Sequence, residues 1–271
     1  MSLLQVKDVT HTYGSYNLFR MKDQRKKVLS DVSISIEQEM CLGLLGASGA
    51  GKSTLGKVIL GLEKPQKGQV LFQGHDFYSI DKKTRKRLRR DLQVVFQDSY
   101  SSVNPRMNVE QIIGEPLQNY ERMSLAEQKR TIGELLERVG LSTGDVQKYP
   151  HQFSGGQLQR VNIARAIVLK PKLIVLDEAV SSLDMVNKTN ILELLSELKS
   201  AYGLSYLFIT HDIKAAYSIA DTLAVMDNGV IVEQFERKKQ LFASAHPAVK
   251  TMISSMLVEH PRYRSLFRTG N

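Results

Sequence analysis

Apolar and polar residues alternate in Leu4-Gln5-Val6-Lys7-Asp8-Val9-Thr10, and again from Val28 to Ile36. That period of two predicts half-buried strands. Cys41–Leu45, Leu173–Leu176 and Tyr206–Ile209 are apolar without alternation. Such runs predict strands buried on both faces, as in a parallel sheet under helices. Leu92–Phe96 reads as a further apolar strand, and Gln69–Gly74 as a strand ending in a glycine turn. Ala220–Met226 and Gly229–Glu233 read as a closing hairpin around Asp227-Asn228.

Between Ser99 and about Arg165 the period changes to that of helices. Val109, Ile112 and Ile113 fall on one stripe, and Ile132, Leu135, Leu136 and Val139 on another. Ser124-Leu125-Ala126-Glu127 fits a capping box and marks a helix start. The expectation is an α/β core over residues 1–240, with a helical lobe at about 99–165 inserted into it. Residues 241–271, with Pro247 and Pro261, read as a short accessory tail, and the polar, basic stretch Ser15–Lys27 as a loop.

Composition narrows the function only a little. At 271 residues, 42% hydrophobic and 24% charged, the chain fits a globular protein that buries a full core. Its net charge of +9 calls for acidic partners: nucleotide, nucleic acid or an anionic membrane surface. The densest basic run, Lys82–Arg90, reads as a solvated helix face, because no aromatic residues are interleaved to stack on bases. Cys41 is the single cysteine, so no internal disulfide forms. The six histidines are scattered, which gives no transition-metal spacing. No apolar run approaches a membrane span and the first residues lack a signal-peptide core, so a cytosolic protein is expected.

The chemistry centres on Gly46-Ala47-Ser48-Gly49-Ala50-Gly51-Lys52-Ser53, a Gly-x-x-x-x-Gly-Lys-Ser phosphate loop between an apolar strand and a helix containing Thr54. Its glycines let successive N–H groups converge on one anion, and the helix adds its positive end. Lys52 can reach the outer phosphates, and the Ser53 hydroxyl can hold Mg²⁺. Asp177 and Glu178 close an apolar strand at the tip where α/β folds place ligands. Asp177 suits Mg²⁺, and Glu178 suits a base that orients the attacking water. His211 follows a third buried strand, where a histidine is structural or touches a γ-phosphate. Ser154-Gly155-Gly156-Gln157 precedes another helix and offers a second phosphate-facing N-terminus. Tyr13, between two strands ahead of the loop, suits either core packing or an adenine platform.

The order phosphate loop, Gln97, Ser154-Gly155-Gly156-Gln157, Asp177-Glu178, Ser182-Leu183-Asp184, His211 resembles the ATP-binding subunits of ABC transporters over nearly the whole chain. The resemblance implies a P-loop NTPase core with an antiparallel β subdomain and an inserted helical subdomain, binding ATP and Mg²⁺. It implies roles as well. Tyr13 would stack adenine, and Gln97 would sense Mg²⁺ and water while linking core to lobe. Glu178 would be the catalytic base, His211 the γ-phosphate contact and Asp184 the contact to a facing subunit. ATP would sit between one subunit's phosphate loop and the other's Ser154-Gly155-Gly156-Gln157.

Asp98–Arg106, Glu115-Pro116-Leu117, Tyr149-Pro150-His151 and His246-Pro247 are similar to the oligopeptide, dipeptide and nickel importer group. Ala179-Val180-Ser181, where most relatives carry proline-threonine, is most similar to its nickel branch, with peptide as the alternative solute. Phe153 replaces the usual leucine before the signature. The implied partners are a second ATP-binding subunit, more often different than identical, two membrane permease subunits and an extracytoplasmic solute-binding protein. The implied place is the cytoplasmic face of the inner membrane, bound peripherally and without nucleic acid. A nucleic-acid-associated ABC ATPase usually needs two cassettes or a long coiled-coil insertion, and a P-loop kinase has no use for the signature.

Overall fold

The computed structural model describes residues 2–14 and 26–255. Most of the expected 15–27 loop, and the tail beyond Ser255 with Pro261, lie outside the described residues. In chain order the elements are β1 (Ser2–Tyr13), β2 (Lys26–Glu37), β3 (Cys41–Leu45), α1 (Lys52–Ile59), β4 (Lys67–Phe72), β5 (His75–Asp76), α2 (Lys82–Asp91), β6 (Leu92–Val95), α3 (Val109–Tyr120), α4 (Leu125–Arg138), α5 (Gly155–Ile167), β7 (Leu173–Asp177), α6 (Met185–Tyr202), β8 (Ser205–Thr210), α7 (Ile213–Ile219), β9 (Thr222–Asp227), β10 (Val230–Phe235) and α8 (Pro247–Ser254).

They form two sheets. One is antiparallel, in the order β2-β1-β4-β5. The other runs β10-β9-β3-β8-β7-β6, parallel from β9 to β6, with β10 antiparallel at one edge. The unbroken apolar runs of the sequence become its central strands: β3 and β8 are buried at every position.

Strand periodicity divides these runs between two cores. On one face Cys41, Leu45, Ile174, Leu176, Tyr206 and Phe208 pack with α3, α4, α5, α6 and α7. On the other, Leu42, Leu44, Leu173, Val175, Leu207 and Ile209 pack with α1 and the antiparallel sheet. Each fully buried aliphatic side chain contributes roughly 1.5–3 kcal/mol, so both faces must be covered. Cys41 is wholly buried, and that burial pushes its thiol pKa up, leaving it chemically quiet.

The helical block folds as patterned. Ser124 caps α4 reciprocally with Glu127: the Ser124 N–H donates to Glu127 Oε2 at 2.8 Å, and the Glu127 N–H to Ser124 Oγ at 3.3 Å. Phe153 is buried in the larger core, where its extra volume is accommodated. The Lys82–Arg90 run is helical, capped by Asp81, with Leu88 its one buried residue. Three short elements carry too little pattern to be read from the sequence: β5, α7 and α8. The helix after the phosphate loop begins at Lys52, two residues earlier than its apolar pattern.

Candidate active site

The phosphate loop runs from the tip of β3 into α1. A Cβ at Gly46 would lie 2.3 Å from the Met226 carbonyl oxygen, so the close approach of β9 requires glycine there. Gly51 caps α1 at φ 106°, a left-handed conformation natural to glycine, and no side chain caps the first turn. The helix therefore opens with its N–H groups left to a ligand.

Lys52 is 6% exposed, and its Nζ donates to the carbonyl oxygens of Gly46 and Ala47 at 2.7 and 2.9 Å. Burial lowers its pKa, while the charges of Glu178 and Asp177 act against that shift. The Ser53 hydroxyl donates to Asp177 Oδ1 at 3.0 Å. Burial raises the Asp177 pKa, the Ser53 bond opposes this, and the Glu178 charge adds to it. A hydroxyl and a carboxylate converging in this way form a hard oxygen donor pair, which fits Mg²⁺.

Glu178 turns sharply off β7 at φ 52°. For a residue with a side chain that conformation costs about 1–3 kcal/mol, and a hydrogen bond from its N–H to the Ile209 carbonyl, 3.0 Å, holds it. The turn aims the carboxylate back toward the loop. Its Oε1 lies 4.0 Å from Lys52 Nζ, its Oε2 lies 2.9 Å from His211 Nδ1, and Ser181 donates its hydroxyl to Oε2. Gln97, beyond β6, joins Gly46, Ser48, Gly49, Lys52, Ser53, Thr54, Glu178 and His211 around one cavity of about 870 Å³. The pocket can thus hold a polyphosphate, a hard cation and a carboxylate placed to orient water.

Two expected residues stand differently. Tyr13 ends β1 half exposed, outside that lining. Its hydroxyl donates to Glu63, it neighbours Thr54, and its ring meets His11 edge-on at 4.9 Å. Ser154-Gly155-Gly156-Gln157 lies outside the cavity too. Ser154 caps α5: its Oγ accepts from the Gln157 N–H at 3.3 Å, and Gln157 Oε1 accepts from the Ser154 N–H at 3.0 Å. Asp184 caps α6 next to it, accepting from the Asn187 N–H at 3.0 Å, which holds its carboxyl pKa low. The two helix starts touch, since a Cβ at Gly156 would lie 2.9 Å from Asn187 Oδ1. They form a second surface, apart from the chain's own phosphate loop.

Sequence reasoning missed the joint between these regions. Gln159, 1% exposed on α5, donates through Nε2 to the Ala179 carbonyl at 2.6 Å and accepts from the Ser99 hydroxyl. Asn162 Nδ2 donates to the Ser99 carbonyl at 3.0 Å. Ala179 follows Glu178, and Ser99 lies two residues past Gln97, so α5 is bonded to both segments that bring these residues to the cavity. The available signal was two uncharged polar residues, Gln159 and Asn162, at i and i+3 among the apolar positions Leu158, Val161 and Ile163. Lys26, Lys27, Thr251, Met252 and Ser255 also border the cavity, and nothing in the local sequence marks them.

A parallel sheet carrying this loop, two acids at the tip of β7, one strand removed from the loop strand β3, and an inserted helical block define an ATP-binding cassette. The family model for the ABC transporter domain matches residues 29–181, and the chain belongs to that family. It is an ATPase of the kind coupled to transport. Among curated relatives, "Nickel import ATP-binding protein NikE" of Escherichia coli O6:K15:H31 is 43% identical over 233 residues, covering 86% of this chain and 87% of the relative. The protein of the same name from Brucella suis biovar 1 is 42% identical over 261 residues, covering 96% and 97%. Among solved structures, the dimeric post-hydrolysis state of the ATP-binding cassette MJ0796 bound to ADP and Pi superposes with TM-score 0.76 at 28% identity, covering 86% of this chain and 99% of that one. The structure of cbiO1 from Clostridium perfringens, part of the ABC transporter complex cbiONQ, gives 0.78 at 28% identity, covering 98% of each chain.

Proposed function

We propose that this chain is one of two ATPase subunits of an importer for nickel or a nickel chelate, bound peripherally at the cytoplasmic face of the inner membrane. Among the described residues no helix is long and apolar enough to cross a membrane, so passage of the solute falls to permease subunits. The nickel assignment is supported by the relatives' names, by their coverage of nearly the whole chain, and by Ala179-Val180-Ser181.

The observation that carries the mechanism is the placement of Glu178. Lys52, Gly49, Gly51 and Thr54 cradle the phosphates. Ser53 and Asp177 would hold Mg²⁺, which when bound would supply positive charge against the outer phosphates. Glu178, oriented by His211 and Ser181, accepts a proton from the attacking water, and Gln97 positions that water. His211 then contacts the γ-phosphate. Tyr13, beside Thr54, presents its ring to the adenine.

The second half of each site comes from a partner. Ser154-Gly155-Gly156-Gln157 faces outward, where it meets another subunit's γ-phosphate, and Asp184 beside it contacts that facing subunit, in keeping with the dimeric state of MJ0796. Closure around ATP excludes water, and hydrolysis reopens the pair. The partner is a different ATPase chain, and a solute-binding protein delivers the cargo outside. Residues 1–240 form the cassette with the 99–165 lobe, and 241–271 the accessory tail. A groove of about 570 Å³ between β6, α3 and α5, lined by Gln93, Gln97, Asp98, Glu115, Tyr120 and Arg165, is the permease seat, because it reaches both Gln97 and Asp177.

The test is uptake of radioactive nickel in cells whose own copy is deleted. The wild-type gene restores uptake. Lys52→Ala lowers it by about 10²–10³, the effect of removing one transition-state donor. Restored peptide uptake with nickel uptake unchanged overturns the solute assignment.

A further inference from the structure

Helix α2 carries the densest charge in the chain: seven cations against one carboxylate in Lys82–Asp91. Arg90 is paired with Glu121 and, at 3.2 Å, with Asp91. Arg85 donates to the Ile80 carbonyl at 3.3 Å. Lys82, Lys83, Lys86, Arg87 and Arg89 are exposed and form no ion pair among the described residues. Lys82–Lys86 and Arg85–Arg89 are like-charge pairs at i,i+4 spacing, which destabilise a helix. Helix stability therefore gives no reason for this stripe.

Its geometry gives one. Lys82, Arg85, Lys86 and Arg89 fall at i, i+3, i+4 and i+7, on one face of the helix. With Asn119 and Tyr120 at the end of α3 they line an open groove of about 420 Å³. Lys86 Nζ sits 5.7 Å over the Tyr120 ring, so the aromatic face is already covered by a cation and offers no stacking platform for a base. Asn119 and Tyr120 also line the larger groove that reaches Gln97. The basic stripe is thus continuous with the permease seat, and a surface beside a membrane protein lies close to the lipid headgroups.

We propose that the exposed face of α2 binds the phosphate groups of anionic phospholipids beside the permease. The proposal rests on the permease reading of the larger groove. Clusters of four to eight cations next to a bilayer draw an anionic leaflet in this way, within a Debye length of the surface.

The experiment is flotation of the purified full-length chain with vesicles of phosphatidylcholine alone, or of phosphatidylcholine mixed with phosphatidylglycerol. It is run at about 0.1 M and about 1 M salt, where the Debye length is about 10 Å and 3 Å. The chain is expected to float with the anionic vesicles at low salt only. The Lys82→Glu/Lys86→Glu/Arg89→Glu variant should partition at least about tenfold more weakly, with an unchanged melting temperature. A Lys7→Glu/Lys129→Glu/Lys170→Glu control carries the same change of net charge on scattered exposed sites and should float like wild type. Equal binding to neutral vesicles, undiminished flotation of the α2 variant, an equal loss in the control, or capture of RNA in preference to vesicles would each overturn the proposal. Cross-linking of Gln93→Cys to the permease tests the underlying reading separately: a cross-link alongside failed flotation removes the lipid contact alone.

Discussion

Two helix starts in this molecule, both proposed to meet phosphate, are built in opposite ways. Helix α1 opens on a left-handed Gly51 with no side-chain cap, and Lys52 is folded back onto the carbonyls of Gly46 and Ala47. Helix α5 opens on Ser154, whose hydroxyl and N–H are both engaged by Gln157. An uncapped start is tolerable inside a pocket that a phosphate will fill. A start that faces outward until a second subunit arrives has to satisfy itself. On the proposed reading, the difference separates the half of a composite site that the chain keeps for itself from the half it lends.

Three substitutions probe that contrast, and the largest effect is expected at the kept half. Glu178→Gln removes the proton acceptor and keeps the shape. Turnover should fall by about 10²–10⁴, with ATP affinity retained and a closed pair trapped. Hydrolysis near the wild-type rate would break the assignment of this pocket as the reacting one.

Gly155→Glu probes the lent half. A Cβ there meets nothing within 4 Å, and a carboxylate in the first turn suits the helix dipole, so the fold should be unharmed. In the assembled transporter, hydrolysis at the facing site should fall about 100-fold, as for loss of one charge-stabilising donor. ATP affinity and melting temperature of the single chain should stay as in wild type. Loss of ATP affinity in the isolated chain would mean that α5 serves its own pocket, and the contrast would fail.

Gln159→Leu addresses the joint between the halves. It strands the Ala179 carbonyl and the Ser99 hydroxyl in a buried position, which should lower stability by about 1–3 kcal/mol. Urea unfolding reads this directly. An unchanged midpoint would show that the Gln159 hydrogen bonds add nothing to the joint beyond packing and the Asn162 bond to Ser99.

The strands were legible because burial on both faces leaves unbroken apolar runs, as in Leu173–Leu176. The phosphate loop and the two acids were legible because each needs particular residues at a fixed chain spacing. Helix α7 was not, since seven residues give too few turns for a stripe to show. Nor were the partners of Tyr13 legible, because Glu63 reaches it across 50 residues of sequence.

By itself, then, the sequence determined the family, the strand core and the residues able to hold a nucleoside triphosphate, since these follow from local period and local spacing. Tertiary structure decided the rest. It left Ser154 outside the cavity that Lys52 lines, bound α5 to Ala179 and Ser99 through Gln159, and brought the Glu178 carboxylate to His211. These depend on which distant segments a doubly buried sheet sets side by side, and chain order does not contain that information in any single stretch.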